Sequence, residues 1–179
     1  MRRQKKMTST YRMALAALLL ALGLILPFLT GQIQEIGNKL LPMHIPVLLC
    51  GFVCGWEYGL IVGFVTPILR SGIFGMPVMM PVAVCMAFEL AAYGACTGLL
   101  YHRLPRTTAS VYISLVGAML AGRLIWGLFA IPLYGAAGTP FSARMFLMGG
   151  FVNAVPGIIL QLVLIPVIIV ALRRAKVME

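Results

Sequence analysis

Charge is what this sequence has least of, and acidic charge least of all. Only 10% of its 179 residues are charged, with four acids against 14 Lys and Arg. A soluble domain is about a quarter charged and a little under half apolar. Here 61% of residues are hydrophobic, and mean hydropathy is +1.02. A small globule has too much surface to cover for that apolar surplus to sit in one water-soluble core. A soluble enzyme, a disordered chain and a disulfide-stapled secreted module are thereby excluded.

Reactive and metal-binding residues are also sparse. The four cysteines (Cys50, Cys54, Cys85, Cys96) all lie in apolar stretches. Cys50 and Cys54 lack a second pair or a histidine at zinc spacing, so they read as small packing residues, and no metal or cofactor is expected. No GxxxxGK[ST] loop is present, so ATP hydrolysis through a P-loop is not expected, and energy would come from an ion gradient or another polypeptide. HExxH is absent, and Ser71, Ser110, Ser114 and Ser142 have no histidine at a matching depth for serine chemistry. So few polar residues cannot line a continuous water path, which argues against a pore.

What the sequence does have is long apolar runs. A helical span takes about 20 residues, so the chain holds roughly six. The expectation is an all-α integral membrane protein, a single transmembrane domain over 1–179. A basic leader (1–12) carries Arg2, Arg3, Lys5, Lys6 and Arg12, and a short basic tail covers 173–179. A cleaved signal peptide competes for the first run, but that run is long for one and no small-x-small site follows Phe28. The helices are expected at Met13–Thr30, Leu40–Gly55, Tyr58–Arg70, Met80–Tyr101, Ala109–Tyr134 and Arg144–Leu172. Gly55-Trp56-Glu57-Tyr58-Gly59 reads as a tight turn. Gly31–Lys39, Ser71–Met79 and Gly135–Ser142 read as loops.

Net charge is +10. The basic residues stand at helix ends and not along one solvated face, so nucleic acid is not the expected partner. They set topology instead: six spans put the leader, Arg103, Arg106, Arg173, Arg174 and Lys176 on one side. Merging the second and third helices would separate leader from tail, so six spans with both termini cytoplasmic is the better arrangement. Small residues mark contacts between helices. Gly51, Gly55, Gly59 and Gly63 recur every fourth residue and read as internal packing. Ala17 and Ala21, on a bulky Leu-rich first helix, are left open for an external partner.

Ionised side chains inside a bilayer usually face a cavity or a partner. Glu89 and Arg123 are the two that fall well within spans, joined by neutral Asn153 and Gln161. Counting in from the outer helix ends at 1.5 Å per residue puts Glu89 at roughly 14 Å, Arg123 at roughly 17 Å and Asn153 at roughly 14 Å. Three consecutive helices thus bring polar groups to one level. Either Glu89 and Arg123 form a structural pair, or the layer lines an outward cavity for a polar ligand. Trp126 lies one turn outward of Arg123, and Tyr93 one turn inward of Glu89. Such a mostly apolar and aromatic lining with a few polar groups suits a small-molecule pocket. Gly149 and Gly150 would allow close backbone approach. His44, between Pro42 and Pro46, and Arg70, at the outer end of the third helix, are further candidates, each with a structural alternative.

These features together resemble the substrate-binding S components of energy-coupling factor (ECF) vitamin transporters of bacteria. The resemblance covers nearly the whole chain. It rests on the six-helix plan with a basic leader, Ala17-x-x-x-Ala21, and Leu41-Pro42-Met43-His44-Ile45-Pro46-Val47. It rests also on the 55–59 turn, and on Asn153-Ala-Val-Pro156-Gly157 with Gln161 and Ile165-Pro166. It implies a multi-pass protein of the bacterial plasma membrane that captures a water-soluble vitamin from outside. The vitamin is then delivered through a membrane coupling protein and two cytoplasmic ATPases. The family's small-residue motif, here Ala17 and Ala21, would pack on the coupling protein. The pocket would use the outer halves of the last three helices, under the loops 31–39 and 71–79. One arginine and one acid suit an amphiphilic carboxylate, and pantothenate is the best guess, with cobalamin or another vitamin left open. Riboflavin is less favoured, because Met43-His44 stands where an acid is expected. Two other classes stay open: a membrane-embedded enzyme using Glu89 and Arg123, and a structural subunit.

Overall fold

The computed structural model describes residues 8–30 and 39–175, and these are helical throughout apart from short connections. α1 (Ser9–Ile25) opens at Thr8, whose side chain accepts the Tyr11 N–H, and runs on through a 3-10 turn, Leu26–Thr30. α2 (His44–Cys54) and α3 (Trp56–Phe74) follow. A π-turn (Met79–Ala83) leads into α4 (Val84–Arg103). α5 (Thr108–Ala136) opens at Thr107, whose hydroxyl accepts the Ser110 N–H. α6 (Ala143–Leu147), a second π-turn (Met148–Val152) and α7 (Val155–Arg174) make the last helical stretch.

Four stretches are long and apolar enough to cross a membrane: Ser9–Leu29, Met79–Arg103, Thr108–Ala136 and Ala143–Arg174. This is a multi-pass, all-helical membrane protein. α2 is apolar but short. Its 11 residues reach about 16 Å, roughly half of a ~30 Å hydrocarbon core. The 19 residues of α3 reach about 28 Å, and they include Glu57 and Arg70.

Several boundaries differ from the sequence expectation, each for a local reason. The second helix begins at His44 and not Leu40, because Leu41 takes a positive φ of 51° and Pro42 follows it. The tight turn at 55–59 contracts to Gly55 alone, at φ 101°, and Trp56–Gly59 are already helical. Few residues other than glycine hold that backbone. The third helix runs on to Phe74, where Gly75, left-handed at φ 71°, caps it by donating its N–H to the Ser71 carbonyl at 2.9 Å. Of the predicted 31–39 loop, all but Lys39 lies outside the described residues, as do residues 1–7 of the leader and 176–179 of the tail.

Glycines set how closely the helices approach. A Cβ on Gly51 or Gly59 would run into the Gly94 carbonyl, and one on Gly63 into the Leu90 carbonyl. Gly51 and Gly59 also meet each other, so α2 and α3 fold back at Gly55 as an antiparallel hairpin and are not one long helix. The paired contacts 59 with 94 and 63 with 90 make α3 and α4 antiparallel. Gly122 against Tyr93 and Gly117 against Leu100 do the same for α4 and α5. α1 runs alongside α3 in the same direction, with Ser9 near Tyr58 and Gly23 on Thr66. At the end of α7, the Arg173 side chain donates to the Tyr101 hydroxyl and the Arg106 carbonyl. The start of α1 and the end of α7 therefore share one end of the bundle. The starts of α2 and α4 are at the other, which also holds the polar layer.

Candidate functional site

Glu89 enters the core from the second turn of α4, and Arg123 from the middle of α5. Arg123 Nη1 donates to Glu89 Oε1 at 2.6 Å, with the two residues 5% and 2% exposed. His44, the first residue of α2, brings Nε2 to 3.6 Å from the same oxygen. Tyr93, one turn along α4, packs its ring edge-on to His44, with centroids 5.1 Å apart. Gly122 lies against the Tyr93 ring, and a Cβ there would overlap it. Four of the predicted residues, from three helices, thus form one contiguous buried cluster.

The cluster carries more polar capacity than it uses. Among the described residues, Arg123 Nε and Nη2 and both His44 ring nitrogens are buried without a hydrogen-bond partner. Buried polar groups are nearly always satisfied, and one left unmade costs about 1–3 kcal/mol. The arginine is half used by Glu89, and its remaining donors suit an oxygen-rich anion.

Trp126 closes the side of Arg123 away from the chain termini. Its ring lies over Gly149 and Gly150, and Gly150 also faces the Arg123 side chain. Phe146 stacks near Trp126 at 5.9 Å, and Phe141 meets it edge-on at 5.3 Å. A Cβ on Gly149 would approach the Trp126 ring to 3.2 Å. The glycine pair therefore gives room to the indole, where sequence reading assigned it to a ligand. Phe141 and Phe146 were not anticipated, since nothing distinguishes them within an apolar run.

Two predicted residues sit apart from the cluster. Asn153 is exposed at the end of the second π-turn, its N–H bonded to the Met148 carbonyl at 2.8 Å. Arg70 is buried toward α1: Nη1 donates to the Leu24 carbonyl, and the guanidinium lies 5.0 Å from the Phe28 ring and 5.4 Å from the Phe74 ring. Arg70→Ala is expected to loosen the Leu24–Phe28 end of the first helical stretch and destabilise the fold by about 2–4 kcal/mol, from a charged hydrogen bond and cation–π contact together. Denaturant unfolding in detergent measures the loss; an unchanged midpoint would remove Arg70 from the structural account. Gln161, noted in the sequence but not placed in the site, is 1% exposed, and both its side-chain polar atoms lack partners among the described residues.

The predicted partner contact lies on the opposite side of α1 from the core. Ala16, Leu19 and Gly23 face inward, while Ala17 and Ala21 are exposed.

A bundle of apolar helices thus surrounds a buried, under-satisfied polar cluster, the architecture of a multi-pass membrane protein. The comparison with known families is specific: residues 11–169 match the family "ECF transporter, substrate-specific component". This chain belongs to that family, and its role is that of the substrate-binding subunit of a transporter. No curated protein and no solved structure matches it.

Proposed function

We propose that this protein binds a water-soluble vitamin from outside the cell and delivers it inward as the S component of an ATP-driven ECF transporter. In this reading it crosses the bacterial plasma membrane six times, with both termini cytoplasmic, as the positive-inside pattern favours. The observation that carries the reading is the cluster of buried, unpartnered donors on Arg123 and His44 beside an aromatic wall.

Pantothenate is the proposed substrate: it pairs a carboxylate with hydroxyl and amide groups. Arg123 takes the carboxylate, because the Arg70 guanidinium is engaged by α1 and two phenyl rings. His44 and Glu89 meet the hydroxyl and amide groups. Tyr93 and Trp126 enclose the hydrocarbon; Asn153, exposed and apart from the cluster, has no part in this arrangement. Arg70 acts indirectly, by holding α1 in place. The test is radiolabelled pantothenate binding to purified protein, alone and against other vitamins. Saturable binding lost in His44→Ala supports the assignment; binding of a different vitamin at the same residues replaces only the substrate.

The exposed Ala17 and Ala21 are the proposed contact with the membrane coupling protein, whose two ATPases supply the energy. Ala17→Leu with Ala21→Leu is expected to lower uptake by whole cells tenfold or more, the equivalent of ~1.4 kcal/mol of docking, with affinity in detergent unchanged. Equal uptake by the variant would move the docking face elsewhere on the bundle.

A further inference from the structure

The end of the bundle that holds both the start of α1 and the end of α7 carries a groove unrelated to the polar cluster. It lies between the first turns of α5 and the last turns of α7, with a volume of about 370 Å³. Pro166, Val167, Val170 and Ala171 of α7 make an aliphatic wall. Thr108 and Tyr112 of α5 stand opposite, and Arg174 closes the charged end. Val167 is 62% exposed and Tyr112 44%, so the groove opens sideways from the bundle, where lipid would be.

The charge at this end is predominantly basic: Glu57, exposed in the first turn of α3, is the acid there among the described residues, against Arg12, Arg103, Arg106, Arg173 and Arg174. No acidic residue occurs between Glu89 and Glu179, while Arg103, Arg106, Arg173 and Arg174 all fall in that interval. Arg173 is engaged by the Tyr101 hydroxyl and the Arg106 carbonyl, neither of which neutralises it. Arg174 is exposed and has no ion pair among the described residues. A groove with an aliphatic floor, an interfacial tyrosine and an unpaired arginine at its charged end complements one kind of molecule. That molecule has a hydrocarbon chain and an anionic head. Basic sites between helices at a membrane surface recognise acidic lipid head groups in this way, and arginine is well suited to phosphate oxygens.

We infer that this groove is a binding site for an acidic phospholipid, with one acyl chain along Pro166, Val167 and Val170 and the phosphate at Arg174. The site is independent of the vitamin reading, because it shares no residue with the polar cluster.

The test uses the full chain, delipidated in detergent and titrated with phosphatidylglycerol or phosphatidylcholine, with bound lipid counted by native mass spectrometry. The wild type is expected to retain one phosphatidylglycerol in preference to phosphatidylcholine. Arg174→Gln should reduce that preference about fivefold, the share of one cation at an acidic membrane surface. Val167→Trp, which fills the aliphatic wall without changing charge, should weaken retention of phosphatidylglycerol. Arg103→Gln, at the same end but outside the groove, should leave both unchanged. Equal retention of the two lipids by the wild type would overturn the inference. So would an equal loss in Arg103→Gln, which reports diffuse charge. Displacement of the lipid by inorganic phosphate would show an ion site without a lipid chain, and a protein dimer lost in Val167→Trp would show a second copy in the groove; either also overturns it.

Discussion

Arg123→Ala is expected to cost the fold ~3–5 kcal/mol, because it strands a carboxylate in a core that excludes water. Glu89 is 2% exposed, and its near oxygen has the Arg123 donor at 2.6 Å and the His44 ring at 3.6 Å. Removing the arginine leaves that charge with a histidine as its remaining neighbour in the cluster. Glu89→Ala strands the guanidinium instead and should cost a similar amount. The double variant Glu89→Leu/Arg123→Leu should recover most of the loss, since replacing a buried pair by apolar groups is often close to neutral. Denaturant unfolding in detergent of the wild type and the three variants measures each loss. The same proteins separate stability from binding. A double variant that folds but has lost the guanidinium should bind vitamin ten- to a hundredfold more weakly, about 1.5–3 kcal/mol for a hydrogen bond to a charged group. If the folded double variant binds as well as the wild type, the pair is structural only.

The second large effect is expected at the helix crossings. The Gly59 and Gly94 backbones face each other so closely that a Cβ on either would overlap the carbonyl of the other. The obstacle is main chain on both sides, so no rotamer change relieves it. Gly94→Ala should force α3 and α4 apart and destabilise by ~1–3 kcal/mol, and Gly94→Leu by more. Gly72 is the internal control: it is also within α3, and a Cβ there would meet nothing within 4 Å. Gly72→Ala should be neutral or stabilise by up to about 1 kcal/mol, the ordinary glycine-to-alanine gain in a helix. Thermal unfolding of the two variants side by side gives the answer. Similar behaviour would mean that close helix approach at glycine is not what fixes this packing.

Much of this arrangement is legible in the sequence because few forces compete inside a membrane. Apolar runs give helices, and fourfold glycine spacing gives close crossings, seen at Gly51, Gly59 and Gly63 against α4. The meeting of Glu89 and Arg123 also follows, since two lone opposite charges at one depth have no better partner. Depth counting, however, yields a level and not a direction around the helix. Asn153 shows the difference. The π-turn at Met148–Val152 adds a residue to the turn, and each residue in a helix is worth about 100° of rotation. The side chain that a regular helix from Arg144 was expected to point inward is exposed. Arg70 escaped for another reason: its partners, Phe28 and the Leu24 carbonyl, lie on a helix 46 residues away in sequence, and nothing local announces them. His44 was readable only as a histidine near a helix start. That start moved to His44 itself because of the positive φ at Leu41, which has no signature in the residue type.

The measurement closest to the central claim is native mass spectrometry of the protein purified in mild detergent from cells grown in rich medium, on wild type and on His44→Ala. The account predicts a bound small molecule of vitamin mass on the wild type, pantothenate first among them, and its loss from a His44→Ala protein that remains folded. A folded wild type that carries no vitamin and binds none across a panel would contradict it, as would a ligand retained undiminished by His44→Ala.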